Sequence, residues 1–144
     1  PAAEHLDAIA RACAAGFHRF HASTDVLADA SLSRITQTLE DAERTGSPVA
    51  VLHLLCHGAR VGDTFGLALD GEHGQVVIDA TQLRQQLAPF ARQVRLIILS
   101  ACDSGNLGEL GNRLGSVAQA LHRCGFQSVI ASRLAAADCA SEPR

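Results

Sequence analysis

The chain has 144 residues, 47% of them hydrophobic and 19% charged, which suits one globular domain with a single core. Its net charge is −3, its twelve cations are all arginines spread along the chain, and Tyr and Trp are absent. A nucleic-acid partner is therefore not expected, since the arginines are not clustered and Tyr and Trp, which stack on bases, are absent. A membrane partner is not expected either, since no apolar run reaches the roughly 20 residues of a membrane span. Five cysteines at irregular spacing favour free thiols and a cytoplasmic location.

The N-terminal part, residues 1–46, is predicted to be helical. Apolar residues at helical spacing predict a first helix over 4–20, which Gly16 should weaken without ending. A second amphipathic helix is predicted over 32–45, and Gly46 is expected to end it.

The following part, residues 47–139, alternates strands and helices. The continuous apolar runs are typical of strands buried on both faces of a parallel sheet, and a glycine-rich turn at the centre of 65–78 predicts a hairpin. The predicted elements are a strand at 49–56, the hairpin, a helix at 80–88 capped by Asp79, a strand at 94–100, a helix at 111–124 and a strand at 127–132. This order predicts an α/β sheet with helices on both faces.

Two reactive side chains follow neighbouring predicted strands. "LHLLCHG" places His57 after the first strand, and "LSACDSG" places Cys102 after the second. Loops at the carboxyl ends of parallel strands gather side chains into one site, so the imidazole and the thiol are expected to meet there. Taken singly, each residue also fits an ordinary structural role, as a core thiol or a loop histidine.

The pair has the chemistry of a cysteine nucleophile and its base. His57 would accept the thiol proton of Cys102 and later deliver it to the leaving amine. The backbone N–H groups of Gly58 and Cys102 are candidate oxyanion donors. Four further residues are candidate substrate contacts, and the acidic ones would favour a basic residue before the scissile bond: Asp103, Ser104, Asp63 and Asp70.

The residues at the positions that other motifs require exclude several other kinds of catalytic or binding site. A cysteine phosphatase needs an arginine six residues after its nucleophile, and position 108 is glycine. An α/β-hydrolase elbow needs glycines where Ser100 and Ser104 stand. No C-x-x-C pair offers a zinc site and no G-x-G-x-x-G follows the first strand, so neither metal nor cofactor is expected.

Three of the remaining thiols and one further imidazole are predicted to be structural. Cys56 should face the core, opposite to its neighbour His57, and His53 should be a packed or edge histidine. Cys13 and Cys124 lie on apolar helix faces, which also favours burial in a core.

Four stretches in order resemble the CHAT domain, a caspase-like cysteine peptidase family: "LHLLCHG", "GLALDG…VVIDATQL", "VRLIILSACDSG" and "GFQSVIAS". The resemblance covers residues 49–139. It implies a caspase-like three-layer sandwich, with a mainly parallel sheet and a hairpin inserted after the histidine strand. It also implies a His57–Cys102 dyad, with the amides of Gly58 and Cys102 as oxyanion hole and no metal.

The resemblance further implies a regulated endopeptidase that acts on a protein partner in a bacterial signalling, defence or cell-death system. TPR or other regulatory domains are then expected in the full-length protein. Residues 1–144 are expected to be a single domain that lacks its last helix and strand, which a complementary C-terminal fragment would supply. The alternatives are a catalytically silent caspase-like interaction module and an unrelated regulatory α/β module with core cysteines.

Overall fold

The computed structural model of the chain describes residues 2–103 and 110–134. The helices are α1 (Ala2–Ala15), α2 (Ala22–Asp25), α3 (Leu32–Arg44), α4 (Ala80–Leu87) and α5 (Leu110–Arg123), with a 3₁₀ turn at Ala88–Phe90. The strands are β1 (Val51–Val61), β2 (Thr64–Gly71), β3 (Gly74–Asp79), β4 (Leu96–Asp103) and β5 (Ser128–Leu134).

The five strands form one mixed sheet in the order β3-β2-β1-β4-β5. β1, β4 and β5 run parallel, whereas β2 and β3 form an antiparallel hairpin on the outer side of β1. The predicted α/β class and the predicted hairpin after the first strand are therefore confirmed. The sheet is more evenly mixed than expected, because β1 pairs with its hairpin as well as with β4.

The ends of α1 and α3 show the same capping motif built on different residues. At the end of α3, Gly46 takes the left-handed conformation (φ 75°) and Ser47 N–H donates to the Ala42 carbonyl, which confirms the predicted stop. At the end of α1, Phe17 takes that conformation (φ 58°) and His18 N–H donates to the Cys13 carbonyl. The predicted extension of the first helix to residue 20 is therefore wrong, because this cap ends α1 at Ala15.

The start of α4 is fixed by a reciprocal cap. The Asp79 carboxylate accepts from the Gln82 backbone N–H at 2.8 Å, and the Gln82 side chain accepts from the Asp79 backbone N–H at 3.1 Å. Two of the otherwise unpaired N–H groups at the helix start are thereby satisfied. The cap predicted at Asp79 is confirmed.

Replacing Asp79 by alanine is expected to lower the free energy of unfolding by about 1 kcal/mol, because the N-cap acceptor is lost. Asp79→Asn keeps the acceptor and should cost less. Thr81→Ala, at an exposed position in the same turn, is the matched control. Urea denaturation measures all three, and an Asp79→Ala variant as stable as the control would contradict this role for the cap.

The core lies between one face of the sheet and three helices. Leu54 of β1 and Leu99 of β4 belong to the same buried cluster as residues of α3, α4 and α5. Those helical residues are Ile35, Leu39, Leu83, Leu87, Leu114, Val117 and Leu121. Because strand side chains alternate between faces, His53, Leu55 and His57 face the other side of the sheet.

The opposite face carries α1. The imidazole rings of His5 in α1 and His53 in β1 pack edge to face, with centroids 5.1 Å apart. Helices therefore lie on both faces of the sheet. Three large apolar side chains of the strands on the α1 side stay exposed to solvent: Val51, Leu55 and Ile130. Among the described residues, no helix has the length and apolar character needed to cross a membrane.

Candidate active site

His57 and Cys102 are register neighbours on adjacent parallel strands. His57 pairs with Cys102 and Gly58 pairs with Asp103, and these are the last two positions of the parallel β1–β4 ladder. Neighbouring strands lie about 4.8 Å apart, so the two backbones are in direct contact. The expectation that these two strands are neighbours and bring both residues to the same sheet edge is confirmed.

The strands continue further than the sequence indicated. We expected His57 and Cys102 to follow their strands, and this is wrong, because β1 reaches Val61 and β4 reaches Asp103. The extra length of β1 is held by pairing with β2, where His57 lies opposite Ala68. His57 is thus fixed within the sheet while its side chain is exposed to solvent.

The predicted oxyanion donors belong to paired backbone. Gly58 is buried and lies between Leu67 of β2 and Asp103 of β4. Cys102 lies between His57 of β1 and Leu134 of β5. Ladder hydrogen bonds compete for amides in such positions. The oxyanion hole stays a prediction.

The structure separates the candidate substrate contacts into two groups. Asp103 ends β4 beside Gly58, and Asp63 lies in the turn that follows β1 beyond the same edge. Asp70 lies at the other end of β2, in a groove between the hairpin and the start of α3 that Asp29 and Glu72 also line. Asp70 is therefore not grouped with the other two. Ser104 lies outside the described residues.

Asp63 has two arginine contacts. Its carboxylate lies 3.6 Å from the Arg60 guanidinium, and its backbone carbonyl accepts from Arg113 Nη1 of α5 at 3.3 Å. The exposed ion pair contributes little energy. The second contact joins the β1–β2 turn to the first turn of α5, and both flank the edge where His57 lies. Sequence reasoning missed it, because nothing in the local pattern relates residues 50 positions apart.

Earlier on β1, further from this edge, His53 forms a polar contact within the sheet. Its Nε2 lies 2.8 Å from the Oγ of Ser100, which is the one polar residue fully buried among those described. Burial lowers the pKa of His53, and the neighbouring His5 lowers it further. The prediction of a packed histidine is confirmed. The pairing with Ser100 had no sequence signal, because it depends on the β1–β4 register.

The structure also places three other thiols. Cys56 and Cys124 pack against the core, as predicted, and burial raises the pKa of Cys56 to about 12. Cys13 is half-buried on α1 and lies outside that cluster, so its predicted burial in the core is wrong. These three are free thiols. In the described ranges, no three His, Cys, Asp or Glu residues are grouped so as to hold a metal ion.

A mixed α/β sheet with helices on both faces, and with a histidine and a cysteine on adjacent parallel strands, is consistent with a caspase-like sandwich. The family model of the CHAT domain matches residues 2–142 of the chain. The chain therefore belongs to the CHAT family, a caspase-like family related to cysteine peptidases. Comparisons with curated proteins and with solved structures gave no match.

Proposed function

We propose that the protein is a cysteine endopeptidase in which Cys102 is the nucleophile and His57 the general base and acid. The observation that carries the proposal is the register pairing of these two residues at the end of the parallel ladder. Membership of a family related to cysteine peptidases supports it. The exposure of the His57 side chain supports it too, since a base must reach a bound substrate.

The reaction follows from these two groups. His57 takes the proton of the Cys102 thiol, and the thiolate attacks the scissile carbonyl carbon. The tetrahedral oxyanion is stabilised by the backbone N–H groups of Cys102 and Gly58, and His57 returns the proton to the leaving amine. Water, deprotonated by His57, then attacks the thioester and releases the acid product and the free thiol.

The substrate is proposed to be a protein with a basic residue before the scissile bond. Asp103 and Asp63 lie toward the edge that carries His57, whereas Arg60 offsets part of the Asp63 charge. The proposed setting is the bacterial cytoplasm, in a signalling, defence or cell-death system. Neighbouring TPR or other regulatory domains would order the substrate cleft, and loop ordering is a common way to control such sites.

Thiol labelling tests the nucleophile directly. At pH 7.5 iodoacetamide should modify Cys102 much faster than Cys56, because a pKa of about 12 leaves Cys56 almost entirely protonated. Peptide mass spectrometry of the labelled protein gives the rate at each cysteine. His57→Ala should slow labelling of Cys102 by about tenfold or more, since the thiolate loses its base.

The control is His73→Ala, at an exposed position in the turn between β2 and β3. It should leave the rate at Cys102 unchanged. If Cys102 reacts no faster than Cys13, or keeps its rate in His57→Ala, the dyad is not functional. The silent interaction module would then be the better interpretation of the fold.

A further inference from the structure

The helix α1 is attached to the sheet through a pair of histidines. The His5 and His53 rings are in edge-to-face contact, with centroids 5.1 Å apart and planes at 64°. On the sheet side, His53 Nε2 is engaged with Ser100 Oγ at 2.8 Å. On the helix side, His5 Nε2 is buried and has no hydrogen-bond partner. The contact between α1 and the sheet is therefore made by two histidines, and Nε2 of His5 has no hydrogen-bond partner there.

The remaining packing of α1 is weak. None of its residues 3–15 is fully buried, and none belongs to the core cluster. Its half-buried side chains are His5, Leu6, Ile9, Ala10 and Cys13. Helices with few buried apolar contacts open at low free-energy cost, so a modest change at the histidine pair can alter the docking of α1.

We propose that the His5–His53 contact is an acid-sensitive clasp, in which uptake of a proton by the pair releases α1 from the sheet. Release uncovers the part of the β1 surface around His53, which α1 covers through His5. The inference rests on the packing of α1 and is independent of the peptidase activity.

The sign of the effect follows from the docked environment of His53. Burial and His5 hold its pKa below the ordinary value of 6.5 while α1 is docked. Release restores water and removes His5, so the undocked form binds a proton more readily. Docking is then complete above about pH 6.5 and weakens by up to about tenfold per pH unit as the pH falls toward the lowered pKa.

The pKa of His53 in the docked form is set by its own burial and by His5. In the described ranges, His5 is the titratable group whose charge acts on the His53 ring. Glu4 and Asp7 of α1 are exposed to solvent. The sheet neighbours are uncharged, with Leu55 on β1 and Ile98 and Ser100 on β4.

Hydrogen exchange of the whole chain at pH 7.5 and pH 5.5 tests the clasp, with exchange times scaled for the intrinsic pH dependence. Peptides of α1 should lose protection at pH 5.5, by up to about tenfold, whereas peptides of β4 should keep theirs. In His53→Gln the side chain can still bond Ser100 but cannot gain charge. The pH effect on α1 should therefore disappear while protection remains.

Two further variants complete the test. His5→Phe keeps ring packing and removes the second imidazole, so it should reduce the pH effect and provides a second measurement if His53→Gln does not fold. His18→Gln, at an exposed position just after α1, should behave like the parent chain. The proposal is overturned if α1 is equally protected at both pH values, if it is unprotected at pH 7.5, or if either variant of the pair keeps the full pH effect.

Discussion

Replacing Cys102 by alanine is expected to lower kcat/KM for peptide cleavage by on the order of 10³-fold or more, because the nucleophile is removed and no acyl-enzyme forms. His57→Ala should lower it by about 10²- to 10⁴-fold, the usual contribution of a general acid–base group. A peptide library cleaved by the full-length protein, with its neighbouring domains present, gives the sites and the rates. The double variant should be little worse than Cys102→Ala, since the two residues act as a unit.

The controls change the same residue types away from the sheet edge. Cys13→Ala alters a half-buried thiol of α1, and His73→Ala alters an exposed histidine of the hairpin turn. Both variants should retain activity within about twofold, the scatter expected for positions that touch neither substrate nor core. Cleavage by Cys102→Ala at the parent rate would exclude the dyad mechanism. Loss of activity in a control variant would mean that a disturbed fold, and not loss of the dyad, explains the result.

Replacing Leu99 by alanine is expected to destabilise the fold by about 2–5 kcal/mol. Leu99 is completely buried in β4, next to Leu54 of β1, and packs in the core under α3, α4 and α5. Truncation removes apolar contacts and leaves a cavity that rigid neighbours on both sides cannot close. Urea denaturation followed by circular dichroism measures the change.

Leu55→Ala is the matched control for this variant. Leu55 lies on the adjoining strand, one register step from the Leu99 position, but its side chain is 40% exposed on the α1 face. Its truncation should cost about 1 kcal/mol and clearly less than that of Leu99, because the side chain is already partly in water and no closed cavity is left. Equal losses in the two variants would mean that the buried face of β4 has been assigned wrongly.

Much of the fold was predictable because its signals are local. Long apolar runs identified β1 and β4 as strands. The burial of β1 on both faces that this pattern predicted is wrong, because Val51 and Leu55 are exposed on the α1 face. Asp79 marked the start of α4, and Gly46 marked the end of α3. In each case the residues that make the structure are within one helical turn of each other.

The candidate dyad was predictable for a related reason. Chain order alone placed His57 and Cys102 at corresponding ends of successive parallel strands, and parallel connectivity brings such ends together. The family resemblance reached the same two residues, and the match over residues 2–142 confirms the family. The chemistry of the pair stays a proposal.

Other features depended on contacts between distant segments. β1 runs through His57 because pairing with β2 supplies the hydrogen bonds that extend it, and α1 stops early because Phe17 adopts the capping conformation of a glycine. The turn at Asp63 contacts Arg113, and His53 contacts both His5 and Ser100. Sequence by itself determined the elements, their order and the residue types at the sheet edge, through periodicity and capping. Tertiary structure alone decided the register and the face each side chain occupies, because one residue of slip in a strand moves every side chain to the other face.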